Sequence, residues 1–336
     1  MRAAVVRTPG GPIEIEEREH PIPGPDEVLI RVRACGVCHG DVMVKEGQFP
    51  FARYPVVPGH EIAGIIEAVG ERVRFLTPGA PVGVSALFSS CGVCWHCLGA
   101  DEFLCDKLEF TGVTKDGGFQ EYMVAPAAYV LPLPETMEFA EAAPLMCAGL
   151  TVFSGMRHAG FKLGDKVAVI GLGGLGHMAV LFAKSMGGRV AVISTSGDKK
   201  AQAQALGAEQ FIHVKTKNPA DALKAWDGGA DLILATAPDA ETMAAAFAGL
   251  AGNGTMMVLG APFAPISVSA FDLIMGRRRL MGSPAGSRKD MRDMLAFAAQ
   301  NRIRPQVDRV SLEHLSNAFN EMGKGHMSGR TVVVMK

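Results

Sequence analysis

The first part of the chain consists of short apolar runs that are separated by glycine and proline. Several of these runs, within residues 1–145, are rich in β-branched residues or alternate apolar with polar positions. A two-residue period with frequent turn signals predicts a β-rich domain with few helices. The alternation is strictest in Glu27–Ala34, which places Val28, Ile30 and Val32 on one face of a predicted strand.

The pattern changes beyond residue 138, first to an alanine-rich stretch and then to alternating strands and helices. Residues 141–160 read as a pair of helices that carries Cys147. Apolar runs typical of buried strands, such as KVAVI, RVAVI and ADLILATA, then alternate with helices predicted near 199–206, 219–225 and 240–250. This alternation predicts a doubly wound parallel sheet. Two further amphipathic helices, at 288–300 and 312–325, precede a last strand, RTVVVMK.

Length and charge narrow the class of protein. A chain of 336 residues exceeds the size at which single cores stop growing, so two domains are expected. The net charge of −1 argues against binding to nucleic acid or a membrane surface, because no basic excess exists to neutralise phosphates. The N-terminus lacks the features of a signal peptide, and no window reads as a membrane helix. We expect a cytoplasmic protein.

The cysteines form groups that are typical of metal sites. Their number, seven, is odd, and in a reducing compartment such clustering favours metal ligation over disulfides. One group, spaced C-x2-C-x2-C-x7-C, comprises Cys91, Cys94, Cys97 and Cys105. Four thiolates can close a tetrahedral zinc site with no open position, which makes such a site structural. An iron–sulfur cluster also accepts four cysteines.

A second metal site is predicted around Cys38 and His60. A catalytic zinc ion takes three protein ligands of the Cys, His or carboxylate type and keeps one open position. Cys147 is the cysteine left for the third ligand once the others are assigned. Asp41 is suited to accept the second N–H of a ligand imidazole. Taken singly, a buried cysteine or a core histidine would be the simpler interpretation.

A glycine motif predicts a dinucleotide site. The strand Val167–Ile170 is followed by Gly171, Gly173 and Gly176 in the order G-x-G-x-x-G, and then by an amphipathic helix. In this context the glycines allow a tight turn, close approach of a pyrophosphate and packing of helix on strand. The first helical residues, Gly174 and Leu175, lie where a helix N-terminus offers free amides to phosphate.

The residues after the next strand favour NADP(H) over NAD(H). An acidic residue is expected at this strand end for NAD, where it accepts the ribose hydroxyls. The chain instead has hydroxyl-bearing residues and a lysine: Ser194, Thr195, Ser196 and Lys199. The absence of an acid removes repulsion against a 2′-phosphate, which these side chains can bind. The alternative is that Asp198 or a backbone contact serves NAD.

The motifs GVCH-x-D, PGHE and APL-x-CAG, together with the four-cysteine lobe, occur in one order along nearly the whole chain. In this order they closely resemble the zinc-dependent medium-chain alcohol dehydrogenases. The resemblance implies a GroES-like catalytic domain of residues 1–148 and 286–336 and a Rossmann domain of residues 149–285. It also implies two zinc ions per subunit, interconversion of small alcohols and aldehydes, and a homodimer or homotetramer.

The resemblance also implies roles for individual residues. Glu61 is the carboxylate that can approach the metal, and Cys35 is a neighbour of the site that does not bind it. Thr151 contacts the nicotinamide, whereas His39 and Arg330 reach the cofactor phosphates. The alternative for Arg330 is a solvent-facing residue of the last strand. By position, Phe49 and Leu87 line an apolar substrate pocket beside Gly40, with core packing as the alternative for both.

The chain departs from this family where a proton is passed on. The family usually has serine or threonine two residues after the first ligand cysteine, and often a relay histidine further on. This chain has Gly40 and Met43 at those positions, and neither carries a proton. Water, a ribose hydroxyl or His39 is the predicted substitute. Two alternatives are a ketone or secondary-alcohol reductase of the same family and a catalytically impaired cofactor-binding protein.

Overall fold

The structure is a computed structural model, and it describes residues 1–323 and 329–335. The chain divides into two compact units. The first unit is Met1–Leu150 with Gly286–Lys336, and the second unit is Thr151–Ala285. The predicted domain boundaries are at 148/149 and 285/286, and the two units divide at 150/151 and 285/286. The predicted helical residues 324 and 325, and Lys336 of the predicted last strand, lie outside the described residues.

The first segment of the first unit is built from short strands and three short helices. Among its described residues these elements are β1 Arg2–Val6, β2 Ile13–Glu17, β3 Glu27–Gly36, α1 His39–Lys45, β4 Glu61–Val69, β5 Pro81–Val84, β6 Leu87–Ser89, α2 Trp95–Leu98, β7 Glu109–Phe110, β8 Tyr122–Pro126, β9 Val130–Pro132 and α3 Phe139–Ala142. The predicted alternation in β3 is confirmed, because Val28, Ile30 and Val32 are at most 1% exposed and the residues between them are partly exposed.

The second unit alternates strands and helices. After α4 Ala148–His158, which begins just before this unit, they are β10 Lys166–Ile170, α5 Gly174–Ser185, β11 Arg189–Ser194, α6 Lys200–Ala205, β12 Gln210–His213, α7 Pro219–Ala225, β13 Ala230–Ala235, α8 Ala240–Phe247, β14 Leu250–Val258, α9 Ala270–Gly276 and β15 Arg279–Gly282. The strands form a parallel six-stranded sheet in the order β12-β11-β10-β13-β14-β15. The prediction of a doubly wound parallel sheet is confirmed.

Two predicted boundaries in the helical stretches are wrong. Cys147 does not lie in a helix, since a 3-10 helix at Ala143–Met146 ends before it and its φ and ψ are −126° and −70°. Cys147 and Thr151 are therefore not successive-turn neighbours on one face of a single helix. Helix α8 ends at Phe247, and β14 begins at Leu250, because Gly249 ends the helical run where its backbone packs closely on α7.

The returning segment completes the sheet of the first unit. It contains α10 Arg288–Gln300, β16 Val307–Val310, α11 Leu315–Gly323 and β17 Arg330–Val334. Strand β17 pairs antiparallel with β3, and β3 pairs with β4 and β8, within a sheet ordered β16-β17-β3-β4-β5-β9. Strand pairing therefore brings three separate parts of the sequence to the carboxyl end of β3.

No single helix among the described residues is long and apolar enough to cross a membrane. The bent pair Phe139–Met146 and Ala148–His158 meets the requirement by length and composition only.

Candidate active site and metal centres

Cys38 lies in the turn after β3, immediately before α1, and the first turn of that helix fixes its position. Cys38 is the N-cap residue, in an extended conformation with φ −121° and ψ 154°. Its backbone N–H donates to Oδ2 of Asp41, the third residue of α1, at 2.9 Å. Because an N3 carboxylate that accepts from the N-cap amide fixes the first turn, Asp41 determines where the Cys38 thiol lies.

The same carboxylate orients His60. Oδ1 of Asp41 lies 2.8 Å from Nδ1 of His60 and accepts the Gly59 N–H at 3.1 Å. Asp41 is fully buried and His60 is 7% exposed. Since Nδ1 is engaged by a carboxylate, Nε2 is the nitrogen left to bind a metal. Burial disfavours the charged imidazole, but Asp41 and Cys38 more than offset it and raise the pKa of His60 well above its usual value.

Four donor side chains converge beside this turn. The ligand atoms of Cys38, His60, Glu61 and Cys147 all lie within 4.8 Å of one another. The Cys38 and Cys147 sulfurs are 3.9 Å apart. Two thiolates bound to one tetrahedral zinc ion at 2.3 Å each would be about 3.8 Å apart. The donor set and its spacing therefore fit zinc, although 109 residues separate the two cysteines.

Glu61 occupies a buried space that glycine provides. A Cβ atom at Gly36, the β3 partner of Glu61 in the sheet, would lie 1.9 Å from its Oε2. The opposite oxygen, Oε1, accepts from the Arg330 guanidinium, which also donates to the Val37 carbonyl oxygen at 3.4 Å. Burial, opposed by Arg330, raises the pKa of Glu61 to about 7. Glu61 Oε2 has no hydrogen-bond partner among the described residues and is the oxygen available to a metal.

The four cysteines of the predicted structural site also cluster. Their sulfurs lie within 4.8 Å of one another, with Cys91 and Cys97 at 3.8 Å and Cys94 and Cys97 at 3.5 Å. The backbone N–H groups of Cys91 and Lys107 both point at the Cys105 sulfur, at 3.5 and 3.4 Å. Amides directed at thiolates and a spacing near 3.8 Å fit a tetrahedral zinc site without an open position.

The glycine loop after β10 has a shape that suits a pyrophosphate. Gly171 has φ +88°, and a Cβ atom at Gly176 would lie 2.0 Å from the Gly171 carbonyl oxygen. A Cβ atom at Gly173, the N-cap of α5, would meet no atom of the part of the chain that the structure describes within 4 Å. The first and third glycines are therefore required by the fold, whereas the second keeps the space above the helix N-terminus open. This is the division of roles found in dinucleotide sites.

The loop after β11 forms its own hydrogen bonds. Ser194 Oγ donates to the Ser196 carbonyl oxygen at 3.1 Å, and the Ser196 hydroxyl donates to Asp198. That hydrogen bond lowers the pKa of Asp198. On the neighbouring strand, His213 Nε2 lies 3.2 Å from the Thr195 carbonyl oxygen. Sequence reasoning missed His213, because its proximity depends on the Ser194–His213 register of β11 and β12.

The other predicted residues have mixed surroundings. His39 is exposed as the first residue of α1, and Met43 is half-buried. A Cβ atom at Gly40 would lie 3.2 Å from Cε1 of His60, so position 40 adjoins the ligand imidazole. Leu87 is 1% exposed, and Phe49 packs against a buried cluster of valines, which keeps core packing open for both. Thr151 is buried in α4, and Lys199 is partly exposed.

Both units match known protein families. Residues 24–135 match the alcohol dehydrogenase GroES-like domain, and residues 174–300 match the zinc-binding dehydrogenase domain. An alcohol dehydrogenase of Moraxella sp. (strain TAE123) is 40% identical over 99% of both chains, and one of Geobacillus stearothermophilus is 37% identical over 99% of both.

Solved structures agree with these matches. A cinnamyl alcohol dehydrogenase of Sorghum bicolor has a TM-score of 0.92 at 34% identity, over 99% of this chain and 97% of that one. The structure of CAD from Helicobacter pylori complexed with NADP(H) has a TM-score of 0.90 at 29% identity, with the same coverage. The fold and the donor clusters define a two-domain alcohol oxidoreductase. The chain belongs to the zinc-dependent medium-chain alcohol dehydrogenase family.

Proposed function

We propose that this chain is an NADP(H)-dependent enzyme that interconverts small alcohols and aldehydes, with one catalytic and one structural zinc ion per chain. The observation that carries the proposal is the donor cluster of Cys38, His60, Glu61 and Cys147, in which His60 and Glu61 are buried and the two cysteines are partly buried. A four-thiolate site is closed, but a site with two thiolates, one imidazole and a carboxylate that can withdraw leaves a position for substrate.

Each residue of the proposed catalytic site has a separate role in the reaction. When bound, zinc supplies a Lewis acid for the substrate oxygen, and the nicotinamide supplies or accepts the hydride. Cys38, His60 and Cys147 hold the metal, and Asp41 keeps the His60 imidazole in the orientation that ligation needs. Arg330 holds Glu61 through one carboxylate oxygen, which leaves the other free to approach or leave the metal.

The cofactor residues belong to the second unit, apart from His39 and Arg330, whose contact with cofactor phosphates stays a prediction. Gly171, Gly173 and Gly176 shape the loop for the pyrophosphate, and the amides at the start of α5, at Gly174 and Leu175, face it. Thr151 contacts the nicotinamide ring in this proposal.

We expect NADPH to be preferred over NADH in reduction of a simple aromatic aldehyde by the zinc-replete protein. Lys199 is the cation of the loop proposed to bind the 2′-phosphate. A charge-assisted hydrogen bond contributes about 1.5–3 kcal/mol, so Lys199→Ala should lower kcat/KM for NADPH by roughly tenfold or more. Activity with NADH should change little. Initial rates with both cofactors at equal concentration test this.

Asp198 provides the control. Its carboxylate accepts the Ser196 hydroxyl, which lowers the pKa of Asp198 and keeps an ionised acceptor in this loop, as the NAD alternative needs. If the loop binds a 2′-phosphate, Asp198→Asn removes a repelling charge and should raise the preference for NADPH. A fall in activity with NADH in Asp198→Asn, with NADH the better cofactor in the wild type, would instead assign Asp198 to the ribose hydroxyls.

His39 is proposed to pass the substrate proton to solvent, because Gly40 and Met43 cannot. His39→Ala should lower kcat for alcohol oxidation by about 10²-fold, the low end of the contribution of a general base, and should do so in a pH-dependent way. His314→Ala, at another exposed histidine of the first unit, is the matched control.

A rescue variant sharpens this test. Gly40→Ser in the His39→Ala background supplies a hydroxyl beside His60, with a shift of a few tenths of an ångström to relieve the 3.2 Å contact. Recovery of kcat, with the proton passed through the introduced hydroxyl to water or a ribose hydroxyl, would support a relay at this position. An unchanged profile in His39→Ala alone would assign the proton to water or a ribose hydroxyl.

A further inference from the structure

A pair of hydroxyl groups lies directly behind one sulfur of the four-cysteine lobe. Ser90 Oγ is 3.1 Å from Cys97 Sγ and 2.8 Å from the Tyr129 hydroxyl. The backbone N–H of Ser90 donates to the same hydroxyl at 2.9 Å. Cys97 is buried, and Tyr129 is only 7% exposed. Tyr129 lies 39 residues after Ser90 and outside the lobe.

The chemistry of a metal-bound thiolate fixes the direction of these hydrogen bonds. A thiolate has no proton to donate, so Ser90 donates its only hydroxyl proton to Cys97. Ser90 Oγ can then only accept from Tyr129. The Tyr129 O–H has two acceptors within reach, Ser90 Oγ at 2.8 Å and the Ser90 carbonyl oxygen at 3.3 Å, and the shorter distance favours Oγ. The Tyr129 oxygen in turn accepts the Ser90 N–H. The result is an ordered chain from Tyr129 through Ser90 to Cys97.

The returning segment holds Tyr129 in place. The guanidinium of Arg288, the first residue of α10, stacks over the Tyr129 ring with its central carbon 4.7 Å from the ring centroid. Arg288 Nε donates to Glu102 Oε1 at 2.8 Å, and Nη1 donates to the Ala128 carbonyl oxygen at 3.2 Å. Glu102 belongs to the lobe and is 2% exposed. A cation over the ring draws electron density away from the phenol. The Tyr129 hydroxyl is therefore a stronger hydrogen-bond donor.

We propose that Ser90, Tyr129 and Arg288 are positioning residues for the structural metal site. They stabilise charge on the Cys97 thiolate and couple metal retention to docking of α10 on the lobe. The inference rests on the proposed function in one respect, namely that a thiophilic divalent metal such as zinc occupies this lobe. Hydrogen bonds behind a ligand atom tune its affinity, and their loss typically costs 10–100-fold in metal binding.

The test measures protection of each cysteine separately. The zinc-loaded protein is incubated with a chelator and iodoacetamide, and alkylation is followed by peptide mass spectrometry. In Ser90→Ala and Tyr129→Phe we expect the four lobe cysteines to react about tenfold faster than in the wild type, and Cys38 and Cys147 at an unchanged rate. Ser90→Thr keeps the hydroxyl and should restore protection. Tyr122→Phe, in β8, is the matched control.

A spectroscopic measurement separates a ligand effect from a folding defect. In the cobalt-substituted protein, the sulfur-to-metal charge-transfer band should shift in Ser90→Ala and return in Ser90→Thr. Equal protection of the lobe cysteines in all variants, together with an unshifted band, would overturn this inference but leave the proposed function standing. Lobe cysteines that react freely in the wild type before any chelator is added would overturn the structural-zinc part of the proposed function, and the inference with it.

Discussion

Cys147→Ala is expected to remove the metal from the cluster of Cys38, His60, Glu61 and Cys147 and to lower turnover by at least about 10³-fold. Cys147 supplies one of two thiolates, 3.9 Å from the other, and no other described cysteine sulfur belongs to this donor group. Lewis-acid stabilisation contributes several kcal/mol to the transition state, and about 4 kcal/mol corresponds to 10³ in rate. The measurements are kcat with an aldehyde and NADPH, and zinc per chain by atomic absorption.

Cys35→Ala is the matched control. Cys35 is also fully buried, but its sulfur contacts the Gly36 carbonyl oxygen at 3.7 Å and does not belong to the donor cluster. Its loss should cost about 1–2 kcal/mol in the free energy of unfolding, with zinc content and turnover largely retained. Equal loss of zinc in both variants would contradict the assignment of Cys147 as a ligand.

Local signals in the sequence predicted most of the fold. The amphipathic pattern of residues 288–300 coincides with helix α10, which begins at the capping box of Ser287 and Asp290. The alternation in β3 and the strand, glycine motif and helix of β10 and α5 were equally readable, because each depends on neighbours within one element. The end of α8 was wrong because Gly249 is shaped by its packing against Ala220 and Leu223 of α7, a tertiary contact.

The donor types of both metal sites were also readable from the sequence, since clustered Cys, His and carboxylate residues at such spacings are typical of zinc ligation. What the sequence lacks is the register of distant strands. The room for Glu61 depends on Gly36 as its partner across β3 and β4, and the Arg330 contact depends on β17 lying beside β3. The role predicted for Arg330 concerned the cofactor phosphates, and the ion pair with Glu61 was not anticipated.

Alanine substitutions at two glycines of the cofactor loop are expected to have different effects, one on stability and the other on cofactor binding. A Cβ atom at Gly176 would lie 2.0 Å from the Gly171 carbonyl oxygen and 3.0 Å from Thr236 Oγ1. Gly176→Ala should therefore push α5 away from β10 and lower the free energy of unfolding by about 3 kcal/mol. A Cβ atom at Gly173 would meet nothing within 4 Å. Gly173→Ala should fold normally, but its methyl group would occupy the space where a pyrophosphate approaches the backbone.

Fluorescence separates these two outcomes. Trp226 is 7% exposed in the core of the second unit, whereas Trp95 is 88% exposed in the first unit. Urea unfolding in a Trp95→Phe background therefore reports on the second unit alone. Gly173→Ala should keep the unfolding midpoint within the equivalent of about 1 kcal/mol while its dissociation constant for NADPH rises by roughly 100-fold, from loss of about 3 kcal/mol of phosphate contacts. Unchanged NADPH binding in a folded Gly173→Ala protein would mean that this loop does not hold the pyrophosphate, whatever the behaviour of Gly176→Ala.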